Sequence, residues 1–182
     1  MTAPDPFAPD RRRVELVSHD PSWSSQAAAE SARLAAAIGE TLIRIEHVGS
    51  TSIAGIAAKP TIDLLPIVRD LTALDARRPQ IEALGYVWRG EFGIPGRRYC
   101  IREEGGRRLF HVHCNEEGSP EIARTLDFRD YLRAHPVEAR AYEAQKRVAA
   151  AAHPTDTLAY SNAKSDWIAA CIARATKWAA AR

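Results

Sequence analysis

The chain has 182 residues, of which 46% are hydrophobic, and its formal net charge at pH 7 is +2. This length fits one domain with a substantial core, and no apolar run reaches the roughly 18 residues that cross a bilayer, so no membrane partner is expected. Nucleic acid is also not expected as a partner, because dedicated nucleic-acid-binding domains are strongly basic.

The predicted elements mix short strands and helices before the chain becomes entirely helical. Residues 1–12 are rich in proline and predict a flexible tail, so a single domain is expected over residues 13–182. After a short strand or extended segment at 14–17, the patterns predict strands at 41–48, 61–68, 86–88, 97–102 and 109–114. They predict helices at 20–38, 71–84, 121–134, 137–152 and 157–181. The fold class is therefore α+β: a small mixed sheet covered by helices, with a helical C-terminal segment.

A glycine–serine segment between the first two predicted strands is the strongest functional signal. Gly49, Ser50 and Thr51 follow the first of these strands, and Asp63 lies on the second. Glycine lets the backbone approach a bulky group closely, and the hydroxyls and amides of Ser50 and Thr51 suit phosphate oxygens. Asp63 could hold a metal ion against those phosphates. The alternative is an ordinary turn beside a solvent-facing aspartate.

Two histidines share one face of the predicted strand 109–114. Residues two apart on a strand point the same way, so His111 and His113 project together. Two imidazoles on one face could bind a metal ion or a phosphate group. A polar strand face with ordinary histidines is the alternative.

Five cationic residues are candidates for binding an anionic ligand. Arg98 belongs to an arginine pair at a strand start and could clamp a phosphate through two hydrogen bonds. Lys59 follows the glycine–serine segment, and the helical half of the chain supplies Arg129, Lys146 and Lys164. A structural ion pair or a solvent-exposed position is the alternative for each of them.

Several short motifs occur together over about residues 14–175. They are EHVGSTSIAGIAAKPTIDLLPIV from Glu46, DPSW at 20–23, HVH at 111–113, FRDYLRAHP at 128–136, and the pairs Tyr142–Lys146 and Tyr160–Lys164. In this combination the chain resembles the GrpB-like family. The resemblance implies a nucleotidyltransferase-like fold, and relatives also occur fused behind dephospho-coenzyme A kinase. It implies no particular substrate.

The nucleotidyltransferase pattern is incomplete in this chain. That superfamily places a Gly-Ser pair before two acids of Asp-x-Asp or Asp-x-Glu form, with a third acid on a later strand. Gly49-Ser50 and Asp63 match the pattern, but Leu65 stands at the second acidic position and the later strand carries histidines. Two-metal catalysis needs more anionic ligands than this, so it is expected to be absent or slow.

The remaining donors predict a different cation site. Asp63, His111, His113 and Glu46 are its candidate ligands, with either His113 or Glu46 completing the site around Asp63. Asp63 is also the candidate catalytic residue. Histidine ligands favour zinc or manganese over magnesium alone, so any of these three divalent ions is a candidate cofactor.

Two classes of function remain open. In the first, the site binds a nucleoside triphosphate and transfers a nucleotidyl group to an acceptor. In the second, the same pocket is a non-catalytic nucleotide- or coenzyme A-binding module, or the domain is a scaffold. The missing second acid favours a module or a diverged enzyme. The expected partner is a small phosphate-bearing ligand, and the oligomeric state is left open.

The cysteines and the N-terminal residues predict a cytoplasmic location. No basic segment followed by an apolar one indicates a secretory signal, and the three cysteines are odd in number and widely spaced. We therefore expect reduced thiols and no structural zinc site built from cysteines.

Overall fold

The computed structural model describes residues 12–182, so the predicted tail lies outside the described residues apart from Arg12. The strands are β1 (Leu42–Val48), β2 (Ile62–Val68), β3 (Tyr86–Trp88), β4 (Arg97–Glu104) and β5 (Arg107–Glu116). The helices are α1 (Ser22–Ile38), α2 (Leu71–Ala76), α3 (Arg78–Glu82), α4 (Pro120–Ala134), α5 (Pro136–Ala152), α6 (Thr157–Asn162) and α7 (Ser165–Ala180). Short 3₁₀ turns at Gly39–Thr41 and Ser50–Ser52 flank β1.

The five strands form one mixed sheet in the order β1-β2-β5-β4-β3. β2 and β5 are parallel at its centre, and the other neighbouring strands are antiparallel. The expected α+β class is confirmed, as is the expected adjacency of the strands on either side of the glycine–serine segment. The central parallel pair sets Asp63 of β2 opposite His111 of β5.

The two faces of the sheet are buried in different ways. On the back face, alternate residues of β2 and β5, among them Leu64 and Val112, pack against α1 and form the main core. On the front face, Leu65 and Ile67 pack against Ile122 of α4. The helices α4, α5 and α7 add a further apolar cluster beside the front face. The region of the front face near Asp63 is left for polar side chains.

Two predicted helices differ from the structure. The helix predicted at 71–84 is two short helices, because Pro79 has no N–H to donate and its ring clashes with a preceding carbonyl. The helix predicted at 157–181 is interrupted between α6 and α7, whose side chains pack in separate apolar clusters. The segment at 14–17, expected to be a short strand or an extended entry, forms no named strand, and its Val17 makes an isolated bridge with Ala58.

Candidate functional site

Three side chains converge on the front face of the central strands. Strand alternation places Asp63, His111 and His113 on this face, and the register brings Asp63 beside His111. The Oδ1 atom of Asp63 lies 3.1 Å from His111 Nδ1 and 3.3 Å from His113 Nε2. The predicted histidine pair and the predicted acid therefore form one group.

Electrostatics fix the protonation states within this group. Burial alone would raise the pKa of the Asp63 carboxyl, but hydrogen bonds from the two histidines outweigh it and hold that pKa well below its usual range. Burial lowers the pKa of His111 to about 4, although the Asp63 charge opposes the shift. At neutral pH, an ionised carboxylate therefore accepts an N–H from a neutral imidazole.

The same three residues can serve as ligands for a cation. One donor atom from each lies within 4.8 Å of the others. A carboxylate with two imidazoles is a ligand set typical of zinc and other divalent transition metals, more than of magnesium. The second ring nitrogen of His111, Nε2, is buried and has no hydrogen-bond partner within residues 12–182. A bound ligand or water at this edge would satisfy it. The donor set thus fits a divalent cation.

Gly49 makes room for the Asp63 carboxylate. Its φ is +69°, and a Cβ atom added there would lie 2.2 Å from Asp63 Oδ2. A side chain at this position would therefore collide with the acid. The turn that follows is held locally, since Ser52 Oγ donates to the Gly49 carbonyl at 2.7 Å. The glycine predicted to allow close approach does so, and the group it admits is the carboxylate of this chain.

The two hydroxyl residues after Gly49 have different environments. Ser50 lines a cavity beside Asp63, and its Oγ donates to the Tyr142 hydroxyl at 3.3 Å. Thr51 is buried, and its hydroxyl lies 2.9 Å from His47 Nε2. The structure brings Ser50 to the cavity but commits the Thr51 hydroxyl to an internal contact.

This cavity, called the first cavity below, has a volume of about 180 Å³. Gly49, Ser50, Asp63 and His111 line its sheet side, and Lys59, Tyr142, Tyr160 and Lys164 are among the residues on the other sides. The ammonium groups of Lys59 and Lys164 lie 5.0 and 4.7 Å from the ring centroid of Tyr160. Burial and, secondly, the charge of Lys59 lower the pKa of Lys164 to about 8. Two cations near one ring on the cavity wall favour an anion in the cavity.

Lys146 supports the cavity wall from behind. It is 1% exposed, donates to the Ala57 carbonyl, and lies 4.7 Å from the ring centroid of Tyr142. Burial lowers its pKa to about 7. Lys146 was predicted to contact ligand, but the structure places its ammonium group against the backbone, outside the residues that line the cavity.

Three other predicted residues form ion pairs away from the cavity. Arg98 points to the back face and pairs with both carboxylate oxygens of Asp75 at 2.6 and 2.8 Å. Arg129 pairs with Asp130 at 2.7 Å and with Glu46 at 2.8 Å. Glu46 thereby ties β1 to α4, and among the described residues it does not belong to the cation group. These side chains are structural in this arrangement.

The two members of the arginine pair lie on opposite faces of the sheet. Arg97, not Arg98, shares the face of His113 because it pairs with Asn115 in the register of β4 and β5. Its Nη1 lies 3.5 Å from His113 Nδ1, and its Nη2 donates to the Phe92 carbonyl at 2.7 Å. Strand alternation counted from the histidines could have identified Arg97.

The position expected to carry a second acid is part of the core. Leu65 is 1% exposed and packs with Val48, Ile67 and Ile122. A carboxylate there would replace an apolar contact beneath α4. Leu65, which stands where the nucleotidyltransferase pattern has an acid, is therefore needed for the apolar packing of the front face.

Comparison with known proteins assigns the family. Residues 13–174 match the family described as GrpB protein. The chain belongs to the GrpB family. The crystal structure of the conserved protein GrpB from Enterococcus faecalis is similar to this chain with a TM-score of 0.85 and 36% sequence identity. The match covers 90% of this chain and 98% of that one.

Curated relatives differ in length from this GrpB chain. The UPF0157 protein YqkA of Bacillus subtilis is 42% identical over 92% of this chain, but the match covers 49% of that protein. A UPF0157 protein of Streptomyces coelicolor is 35% identical, with 92% of this chain and 87% of that protein covered. A dephospho-CoA kinase of Mycolicibacterium paratuberculosis is 32% identical over 93% of this chain and 47% of its own length. The chain spans about half the length of the Bacillus subtilis protein and of the dephospho-CoA kinase.

In the part of the chain that the structure describes, none of the helices has the length and apolarity needed to cross a membrane.

Proposed function

We propose that this GrpB protein binds a small phosphate-bearing ligand in the first cavity, beside a divalent cation held by Asp63, His111 and His113. The observation that carries the proposal is that donor atoms for a cation and positively charged side chains for an anion lie in one cavity. Two of the three cation ligands, Asp63 and His111, and two lysines from the loop and helical side line the same space of about 180 Å³. A phosphate group beside a metal ion has the charges that satisfy both sides.

The phosphate end of the ligand would lie against Lys59, Lys164 and Ser50. The two ammonium groups would supply charge-assisted hydrogen bonds. The Ser50 hydroxyl would add a neutral one by turning its hydrogen from Tyr142 to the phosphate. Burial and, secondly, the charge of Lys59 hold the pKa of Lys164 down to about 8, and a bound anion would offset both effects. These residues therefore bind and orient the ligand.

The cation ligands would act on the opposite side of the phosphate. When bound, a divalent ion polarises a phosphoryl oxygen and offsets its charge. Ligating nitrogens must be unprotonated, so cation binding replaces the hydrogen bonds that the two histidines make with Asp63. Gly49 keeps the carboxylate close to the turn on which Ser50 stands.

We expect this site to bind a phosphate-bearing ligand more readily than to catalyse nucleotidyl transfer. One carboxylate and two imidazoles provide one cation position, and Leu65 fills the place of a second acid with core packing. Transfer of a nucleotidyl group is therefore expected to be absent or slow. The second candidate is a non-catalytic module that binds a nucleotide or coenzyme A. A relative named dephospho-CoA kinase is the reason to include coenzyme A among the probes.

Isothermal titration would test the proposal. Zn²⁺, Mn²⁺ and Mg²⁺ would be titrated separately into wild type, Asp63→Asn and the exposed control Asp166→Asn, followed by ATP or coenzyme A. We expect wild type and the control to bind Zn²⁺ or Mn²⁺ more tightly than Mg²⁺, with affinity reduced at least about tenfold in Asp63→Asn. Equal cation affinities in all three proteins, or no binding of any phosphate-bearing probe, would contradict the proposal.

A further inference from the structure

A second cavity adjoins the first one. Its volume is about 320 Å³, and Lys59, Thr61 and His111 line both cavities. The other walls come from the segment before α1, from the β4–β5 turn and from the start of α6. The two cavities therefore meet at these three side chains.

Arginines dominate the wall of the second cavity. Within residues 12–182, Arg12, Arg13, Arg107 and Arg108 line it, and Glu15 contributes the one carboxylate. This composition gives the cavity a strongly positive charge. Among the described residues that line it, only His111 has an aromatic ring, so this part of the cavity suits charged oxygens better than a stacked nucleobase.

The four arginines are not equivalent. Arg12 and Arg108 pair with Glu103, which offsets part of their charge. Within residues 12–182, neither Arg13 nor Arg107 forms an ion pair, and both residues are exposed. These two cations carry charge that the described part of the fold does not neutralise.

Cavity size indicates how much of a ligand each cavity holds. Small-molecule sites usually measure about 300–1,000 Å³. The first cavity, at about 180 Å³, is smaller than this range and suits a phosphate group with a cation. The second cavity lies within the range by itself. A ligand that uses both would be elongated and would pass Lys59.

We propose that the second cavity binds further anionic groups of the same ligand, and that the ligand class is therefore a linear polyphosphate, free or carried by a nucleoside. This inference rests on the phosphate site proposed above. One phosphate lies at Lys164 and the cation group, Lys59 spans the junction, and Arg13 and Arg107 bind the more distant phosphates. Arginine suits this role because its planar guanidinium donates two parallel hydrogen bonds to phosphate.

Titration with inorganic phosphate and tripolyphosphate at fixed ionic strength tests this assignment. The variant is Arg13→Gln with Arg107→Gln. The matched control, Arg140→Gln with Lys177→Gln, removes two exposed positive charges from the helical half. We expect wild type and control to bind tripolyphosphate on the order of tenfold more tightly than phosphate, and the variant to lose this preference while binding phosphate within about twofold of wild type.

The outcomes separate the two proposals. If wild type binds phosphate but shows no preference for tripolyphosphate, or if the variant keeps the preference, the second cavity is not an anion subsite and the phosphate site stands. If the control loses the preference as fully as the variant does, the effect is one of net charge and the assignment is overturned. If wild type binds neither probe, both proposals fail.

Discussion

Replacing Gly49 by alanine is the sharpest perturbation of the site. The new Cβ atom would lie 2.2 Å from Asp63 Oδ2, whereas ordinary contacts begin near 3.4 Å, so the carboxylate must retreat by about 1.2 Å. Metal–ligand distances tolerate deviations of only about 0.2 Å. The backbone at φ +69° and ψ −173° is also essentially restricted to glycine, and a side chain there costs on the order of 1–3 kcal/mol. We expect lower stability and at least about tenfold weaker cation binding.

Gly55→Ala is the matched control for this experiment. Gly55 has φ +79°, but an added Cβ atom would meet nothing within 4 Å. It therefore carries backbone strain without the collision. Urea unfolding would measure the stability of both variants, and zinc titration would measure cation affinity. We expect both to be destabilised and only Gly49→Ala to lose affinity. Zinc affinities that fall equally, or not at all, would refute the reasoning that Gly49 positions the Asp63 carboxylate.

Three further substitutions test the assignments around the cavity. Leu65→Asp would bury a carboxylate in the apolar cluster beneath α4, and we expect urea unfolding to show a loss of about 2 kcal/mol or more instead of a gained metal site. Thr51→Val would remove the contact with His47, and we expect it to cost about 1 kcal/mol of stability while leaving ATP binding within about twofold of wild type. Because the pKa of Lys146 falls from 10.5 to about 7 on folding, the unfolded chain binds more protons between these values. The stability of wild type relative to Lys146→Met should therefore rise as pH increases from about 7 towards 10, and a flat difference would contradict the burial of a titrating ammonium group.

Local patterns predicted most of the sheet and part of the site. Gly49, Asp63 and His111 were found from strand periodicity and turn chemistry, because both signals lie within a few neighbouring residues. Strand alternation also predicted that His113 projects with His111. What brings Asp63 to both histidines is the parallel pairing of β2 with β5, and that pairing depends on the whole sheet.

Other parts of the site depend on contacts between distant segments. No glycine or proline marks the break between α6 and α7, where Lys164 stands before the first residue of α7. Arg129, predicted to contact the ligand, forms an ion pair with Glu46, which lies 83 positions away in the sequence. The arginine-lined cavity likewise joins the segment before α1 to the β4–β5 turn. Such pairings have no local sequence signal, so they appeared only with the tertiary structure.

Anomalous scattering from a crystal soaked with Zn²⁺ and tripolyphosphate is the most direct test of the central claim. We predict a zinc peak about 2.0–2.2 Å from an Asp63 oxygen and from a ring nitrogen of each of His111 and His113, with a phosphate group between that peak and Lys164. Zinc bound at other positions while Asp63 keeps its hydrogen bonds to the two histidines, or phosphate bound away from Lys164, would contradict the account.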